Sequence, residues 1–239
     1  MRDQTRWDQK APLLAAYHFG QSRALLFEVE LLVGEAFNDP VLKREMISRL
    51  VNLLDSDASP DCLRFVCREL ALLGGKESVP ALARRLRDKE VGEAAIHALQ
   101  IIPHSSAATA LRSGLLDSEN PMRVAVANAL GERRDPLAVG PLSRVLSEPD
   151  ENLAEASARA LGKIGSRFGV GALLAACEKR PPSSRSVFSH AALECAERLA
   201  EQGRTGEAAE IYSRLAKAET IEPVRAAAEC GLKRTTPRR

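Results

Sequence analysis

The sequence of 239 residues predicts an all-α fold, a right-handed α-solenoid in which about six helical hairpins stack into a superhelix. A leucine recurs at intervals of 29, 31 and 31 residues, at Leu70, Leu99, Leu130 and Leu161. Two further apolar positions follow each of them, 12 and 16 residues later: Leu82 and Leu86, Leu111 and Leu115, Leu142 and Leu146, Leu173 and Cys177. Aromatic residues make up only 4% of the chain, so Leu and Ala must form the core, and both favour helices over strands.

Each repeat reads as two helices joined by a turn. In the repeat that begins at Asn120, the stretch PMRVAVANALGE predicts the first helix, with Asn120 as its N-cap and Pro121 at its first position. Val124, Ala127 and Leu130 share one face of this helix. The turn RRDP follows, then the second helix PLAVGPLSRVLS, and SEPDEN ends the repeat.

Three segments differ in how regular the repeat is. Residues 1–56 are predicted to hold a capping helix, from Ala11 to Phe19, and a divergent first repeat with a long loop around residues 37–40. Residues 57–180 hold the regular repeats. Residues 181–239 hold a divergent repeat, which follows a loop lengthened by residues 183–186, and a terminal helix with a frayed tail. All three segments are expected to belong to the same solenoid.

Small residues are concentrated in the first helices of successive repeats. Helices in neighbouring layers approach closely only where their side chains are small, and leucines fill the remaining space. The alanines expected at these contacts are Ala94, Ala95, Ala98, Ala125, Ala127, Ala129, Ala156, Ala158 and Ala160. No single repeat can bury both its faces, so its neighbours must cover them.

The segment Asp117–Leu146 resembles the HEAT-like repeat of phycobilisome-lyase-type and related bacterial proteins. Pro121, Arg123, the Ala-Leu-Gly run that ends at Gly131, and Val139 match the pattern of that repeat. The resemblance extends over about residues 57–235, although LAEQGRTGEAAEIYSRLA also resembles a tetratricopeptide helix pair. It implies a solenoid of HEAT-like hairpins, but it does not imply one function, because this repeat serves many roles.

Composition and charge exclude several classes of protein. The net charge of +2, from 34 basic and 32 acidic residues, is too balanced for general attraction to nucleic acid or membranes. Five cysteines without CxxC spacing indicate reduced, mostly buried thiols in a cytoplasmic protein. The four histidines are scattered, so no metal site is predicted. No signal peptide and no membrane span is expected.

The sequence does not contain the motifs that the enzymes of similar fold need. Deoxyhypusine hydroxylases hold iron through His-Glu pairs, and this chain has no His-Glu dipeptide. HEAT-like DNA glycosylases need aromatic side chains near the damaged base, whereas the single tryptophan, Trp7, precedes the regular repeats. No GxGxxG, P-loop or GxSxG motif occurs. We therefore expect no enzyme activity and no cofactor, with a lyase-like or chaperone-like accessory subunit, presenting a prosthetic group or client protein to an enzyme, as the alternative.

Basic residues recur on the predicted second helices, which line the concave face in related solenoids. The candidate partner-binding residues are Arg84, Arg85, Arg87, Arg112, Arg144 and Lys179, with Arg180 beside them. The function predicted from them is that of a protein-interaction scaffold, whose partner presents an acidic face or peptide to the concave face. The competing interpretation is that they are solvated positions on amphipathic helices, and nucleic acid is the lesser alternative as a partner. Asp117 and Arg123 are expected to form an ion pair between layers. Nothing in the sequence indicates the oligomeric state.

Overall fold

The computed structural model describes residues 2–117, 119–218 and 221–235. Within these residues the chain forms fourteen α-helices and no strand, so the predicted all-α class is confirmed. The helices are α1 (Arg2–Ala15), α2 (Ala24–Ala36), α3 (Pro40–Leu54), α4 (Pro60–Leu73), α5 (Val79–Arg84), α6 (Gly92–Ile101), α7 (Ser105–Leu116), α8 (Arg123–Glu132), α9 (Val139–Val145), α10 (Glu151–Ile164), α11 (Arg167–Glu178), α12 (Pro182–Glu201), α13 (Thr205–Ala218) and α14 (Glu222–Thr235). Consecutive pairs from α2–α3 to α12–α13 make the six predicted hairpins, with α1 and α14 at the two ends.

The chain divides into two compact units. The first is Met1–Gly114 with Glu119–Met122, and the second is Leu115–Ser118 with Arg123–Arg239. In the first unit α4 packs against α3 and α6, and α5 packs against α6. In the second unit α10 packs between α8 and α12, while α9 packs against α11. Each unit is thus a stack of helical hairpins of the α-solenoid type. The division by repeat regularity into residues 1–56, 57–180 and 181–239 stays a prediction.

The periodic apolar positions form the core, as the repeat register requires. All twelve residues of the three aligned positions are buried, and ten of them are at most 2% exposed. Leu130, at the centre of α8, has no exposed surface. Of the nine alanines expected between first helices, seven are buried, and Ala94 and Ala125 are half-buried. The register read from the sequence is confirmed.

Several helices begin at a side chain that caps their first backbone nitrogens. Asp39 accepts hydrogen bonds from the backbone nitrogens of Val41 and Leu42, and Ser59 accepts one from Cys62, each just before a proline at the first helical position. Asp150 caps α10 through the nitrogen of Leu153 at 3.1 Å. The connection predicted around residues 37–40 is present, but it is not long: only residues 37–39 separate α2 from α3.

Asn120 has a different role from the predicted N-cap. Its Oδ1 accepts a hydrogen bond from the nitrogen of Met122 at 2.9 Å, and its Nδ2 donates one to the carbonyl oxygen of Gly114 at 3.0 Å. Asn120 is only 3% exposed. Its amide oxygen and its amide nitrogen both hold the turn that precedes α8. As a result α8 begins at Arg123 and not at Pro121.

Two boundary predictions were wrong. The N-terminal helix was predicted from Ala11 to Phe19, but α1 runs from Arg2 to Ala15, because Trp7 and Leu14, seven residues apart, anchor its otherwise polar sequence in the core. Residues 183–186 were predicted to form a loop, but they belong to α12, which begins at Pro182. A proline at the first helical position costs no hydrogen bond, so the double proline starts the helix early. Residues 233–239 were predicted to fray, but residues 233–235 belong to α14, and residues 236–239 lie outside the described residues.

Candidate functional site

Three candidate basic residues of the first unit lie at or just after the end of α5, the fourth lies within α7, and two of them contact the preceding repeat. Arg84 donates two hydrogen bonds from Nη2 to the carboxylate of Asp55, at 2.8 and 2.6 Å. Arg85 donates to the carbonyl oxygen of Leu54 from Nε and Nη2, at 3.1 and 2.6 Å. The half-buried Arg112 donates to Thr109 at 2.9 Å, and Arg87 is exposed. Arg84 and Arg85 therefore connect α5 to the C-terminal end of α3.

The candidate basic residues of the second unit differ in their contacts. Arg144, in the last turn of α9, and Lys179, directly after α11, are exposed, and their side chains form no hydrogen bond or ion pair with any residue that the structure describes. Arg180 is only 13% exposed and pairs with Glu151 at 3.2 Å. Its guanidinium also lies 4.2 Å from the ring centroid of Phe188. Arg180 is thus a packing residue, whereas Arg144 and Lys179 are available to a partner.

Three arginines share a structural role that the sequence analysis missed. Arg85, Arg123 and Arg180 each donate to a carbonyl oxygen at the C-terminal end of a second helix, at distances between 2.6 and 3.2 Å. The acceptors are Leu54 in α3, Leu115 in α7 and Leu146 directly after α9. These carbonyls have no partner within their own helix, and they carry the negative end of the helix dipole. Part of the basic periodicity in the sequence therefore serves helix capping.

Arg123 pairs with a carboxylate other than the predicted one, and this carboxylate belongs to its own repeat. Its Nη1 and Nη2 donate to the two carboxylate oxygens of Glu148 at 2.6 and 2.7 Å. This two-point hydrogen bond raises the pKa of Arg123 and lowers that of Glu148. The predicted partner, Asp117, contributes a smaller charge–charge attraction that also raises the pKa of Arg123.

Two large apolar side chains are exposed at the same repeat position in the second unit. Leu137, just before α9, is 68% exposed, and Phe168 in α11 is 74% exposed. They lie 31 residues apart, seven residues after the aligned Leu130 and Leu161. The two preceding repeats have Glu77 and Ser106 at this position. The repeat alignment shows this change from polar to apolar residues. From the sequence alone, however, a leucine or phenylalanine next to a helix is expected to be buried in the core.

The same two helices carry glycines that core packing does not require. Gly140 in α9 and Gly171 in α11 also lie 31 residues apart, and a Cβ atom on either would meet nothing within 4 Å. A glycine inside a helix costs up to about 1 kcal/mol relative to alanine. We call the exposed surface that these helices present the second-helix face; it consists of Leu137, Gly140, Arg144, Phe168, Gly171, Ala175 and Lys179. Between α9 and α11 lies a groove of about 310 Å³, with Ala175 and Lys179 in its lining.

Four of the five thiols are buried. Burial raises the pKa of Cys62, Cys67 and Cys195 to about 12, which keeps these thiols protonated. Cys177 is also buried, and Cys230 is exposed. In the part of the chain that the structure describes, no group of three or more His, Cys, Asp or Glu side chains is placed to hold a metal ion. No helix there has the length and hydropathy that a membrane crossing requires.

Comparison with known families assigns the repeats. The family described as HEAT repeats matches residues 47–126 and 115–191, which together make up more than half of the chain. The chain belongs to the HEAT-repeat family. The finer likeness to the phycobilisome-lyase type receives no specific support from this match. No curated protein matches the chain significantly.

Solved structures with a similar course of the backbone include two engineered proteins and one human enzyme. The first engineered protein has a TM-score of 0.48 and 18% identity, covering 79% of this HEAT-repeat chain and 96% of the other. The second has a TM-score of 0.47 and 17% identity, covering 95% and 68%. Human deoxyhypusine hydroxylase in complex with glycerol has a TM-score of 0.40 and 19% identity, covering 98% and 96%. These scores are low, so the family assignment rests on the sequence match.

Proposed function

We propose that this HEAT-repeat protein is a non-catalytic interaction scaffold that binds a protein partner on the second-helix face of its second unit. The observation that carries the proposal is the pair Leu137 and Phe168, exposed at equivalent positions of neighbouring repeats. Arg144 and Lys179 add unpaired positive charge at the C-terminal ends of α9 and α11. The other candidate residues, Arg84, Arg85, Arg87 and Arg112, belong to the first unit and stay a prediction.

The apolar pair supplies a reason for binding. Burying an exposed side chain of the size of Leu137 or Phe168 is worth about 1.5–3 kcal/mol. Phe168 is a rigid aromatic group, with the guanidinium of Arg167 4.9 Å from the centre of its ring. Aromatic and arginine side chains carry much of the energy in protein interfaces. The two side chains would therefore act as neighbouring anchors for one partner.

The open glycines supply room for the partner. With hydrogen atoms in place of side chains at Gly140 and Gly171, a partner helix or loop can approach the backbone of α9 and α11 closely. Ala175 continues the smooth surface along α11 towards Lys179. No atom of the chain requires a glycine at either position. A contact with another molecule would explain why both positions are glycine.

The charges favour a protein over a nucleic acid. Arg144 and Lys179 are unpaired, but the exposed Glu178 lies beside Lys179 and offsets part of the field. Nucleic-acid binding draws on many cations and weakens steeply with salt. A face with two cations and two apolar anchors should instead bind an apolar surface edged with carboxylates, and this binding should persist at moderate salt.

Site-specific photo-crosslinking in the source cells tests this proposal. A photoreactive phenylalanine analogue replaces Phe168, whose ring it resembles, and in a control chain it replaces Asn128, which is exposed on α8, a first helix of the same unit. We expect one dominant protein adduct from position 168, lost when Leu137→Glu and Arg144→Glu are added, and no such adduct from position 128. Equal adducts from both positions, or none from position 168, would rule out the second-helix face.

A further inference from the structure

We infer that the first unit holds a separate peptide-binding groove, which takes a partner segment with an aromatic side chain flanked by carboxylates. The groove has a volume of about 540 Å³ and lies between the α1–α2 loop, α2 and α4. This volume is within the range of sites that hold ligands of several side chains' size. The groove belongs to the first unit and shares no residue with the second-helix face, so either proposal can fail alone.

The loop that forms one wall of the groove is held in place. The nitrogen of Phe19 donates a hydrogen bond to Oδ2 of Asp61 at 2.9 Å. The backbone nitrogen of Ser59 donates to the carbonyl oxygen of Ala15 at 2.8 Å, and its hydroxyl donates to the carbonyl oxygen of Tyr17. Gly20 has a φ of 95°, which lets the chain turn sharply towards α2. The wall is therefore formed before any ligand arrives.

The apolar part of the groove contains an exposed aromatic side chain above a buried floor. Tyr17, Leu26 and Phe65 line the groove and are each at most 7% exposed. Phe19 also lines it, yet 90% of its surface is exposed. The hydroxyl of Tyr17 forms no hydrogen bond with any described residue, so it is free to bond a ligand group. An aromatic guest would bury Phe19 and add its own ring to the floor.

The charged lining of the groove is predominantly positive. Arg23, Arg64 and Arg68 line it, against the single carboxylate of Asp61. The side chain of Arg23 has no hydrogen-bond or ion-pair partner among the described residues. Arg64 pairs with Asp61, and Arg68 pairs with Glu30 and Glu69, but both side chains are more than 40% exposed. Their outer N–H groups remain open to a second carboxylate, because a guanidinium offers five donors.

The exposed ring of Phe19 and the positive charge of the lining together indicate which kind of peptide the groove binds. A purely apolar guest would leave Arg23 without a counter-charge, and a purely acidic one would leave Phe19 exposed to water. A segment that combines an aromatic side chain with neighbouring Glu or Asp residues satisfies both. Tyrosine and arginine are the residue types on which protein interfaces depend most, which fits a peptide of another protein as the guest.

Fluorine NMR offers a direct test, because the chain has only two tyrosines, Tyr17 and Tyr212. Full-length protein labelled with 3-fluorotyrosine gives two signals, which Tyr212→Phe assigns. The probes are glutamate-rich octapeptides with one tryptophan at each position in turn, and matched sets with Gln for Glu or Ala for Trp. We expect the acidic tryptophan peptides to shift the Tyr17 signal and leave the Tyr212 signal in place. If no acidic tryptophan peptide shifts Tyr17, or if the matched sets shift it equally, the inference is wrong.

Three variants locate the binding by fluorescence anisotropy of a labelled probe. Arg23→Glu should lower the affinity for the probe by about tenfold or more, since it reverses an unpaired charge in the lining. Phe19→Ala should weaken it several-fold without changing the Tm, because the ring is exposed. Lys89→Glu reverses an exposed charge elsewhere in the first unit and should change the affinity less than about twofold. Equal affinities for the parent, Arg23→Glu and Phe19→Ala would overturn the assignment.

Discussion

Gly131 in α8 lies directly against Ala160 in α10. A Cβ atom on Gly131 would stand 2.7 Å from the Cα of Ala160 and 2.9 Å from its Cβ. One repeat later, a Cβ atom on Gly162 would stand 2.9 Å from the carbonyl oxygen of Ala191 in α12. At the glycine of the Ala-Leu-Gly run, the first helices of successive repeats are therefore too close for a side chain.

This contact predicts that Gly131→Ala destabilises the protein although alanine is the better helix former. The added methyl group meets backbone, which cannot move aside, and we expect the free energy of unfolding to fall by about 1–3 kcal/mol. Gly34→Ala in α2 is the matched control, because a Cβ atom there meets nothing within 4 Å. Urea denaturation of both variants makes the comparison. A stabilised Gly131→Ala variant would contradict the close packing of α8 on α10.

Leu130→Ala tests the repeat register itself. Leu130 has no exposed surface, so its truncation should lower the free energy of unfolding by about 2–5 kcal/mol. Leu137→Ala removes the same atoms from a side chain that is 68% exposed, and should cost less than about 0.5 kcal/mol. If thermal or chemical denaturation shows similar losses for both, the assignment of buried and exposed positions is wrong.

The pair of Arg123 and Glu148 makes stability depend on acid. Arg123 lowers the pKa of Glu148 from its ordinary value of 4.5, so the pair stabilises the fold above that value and is lost as the pH falls through the lowered pKa. Glu148→Gln should therefore cost about 1 kcal/mol at neutral pH and progressively less in acid, where Glu148 of the parent is itself protonated. Denaturation across a pH series measures this, and a constant difference at every pH would exclude the charge as its cause.

The cysteines should differ sharply in reactivity. Burial raises the pKa of three thiols to about 12, Cys177 is also buried, and Cys230 alone is exposed. In native buffer, a thiol reagent such as dithionitrobenzoate should react quickly with one thiol per chain, and with all five after denaturation. The variant Cys230→Ser should lack the fast reaction. Rapid labelling of Cys62 or Cys67 would show that α4 opens readily.

The fold could be predicted from the sequence because each repeat buries a leucine at the same positions. This periodicity alone predicts that Leu99, Leu130 and Leu161 are buried. The errors lie where one residue outweighs a polar stretch: Trp7 anchors the start of α1, and Pro182 starts α12 before the polar residues 183–186. Hydrophobic periodicity is judged over many residues, so one tryptophan or proline that decides where a helix begins changes it very little.

The candidate surface was predictable only in part. The spacing in the sequence predicts which basic residues lie on second helices, but it does not predict which atoms each side chain contacts. Arg85 and Arg180 reach carbonyl oxygens of the preceding repeat, a contact that depends on how the layers pack. Arg144 and Lys179 stay unpaired for the same reason. The exposed Phe168 could be recognised only once the helix that carries it had a known inward face.

The variant Gly171→Gln separates folding from binding, because stability and affinity should not fall together. Glutamine is the better helix former and meets open space at Gly171, so the Tm should rise or stay unchanged. The longer side chain covers the smooth part of the second-helix face, so affinity for the protein captured by crosslinking at position 168 should fall by about tenfold or more. The control Gly34→Gln, also in open space, should leave that affinity unchanged. Full affinity in Gly171→Gln would contradict the second-helix face as the binding surface.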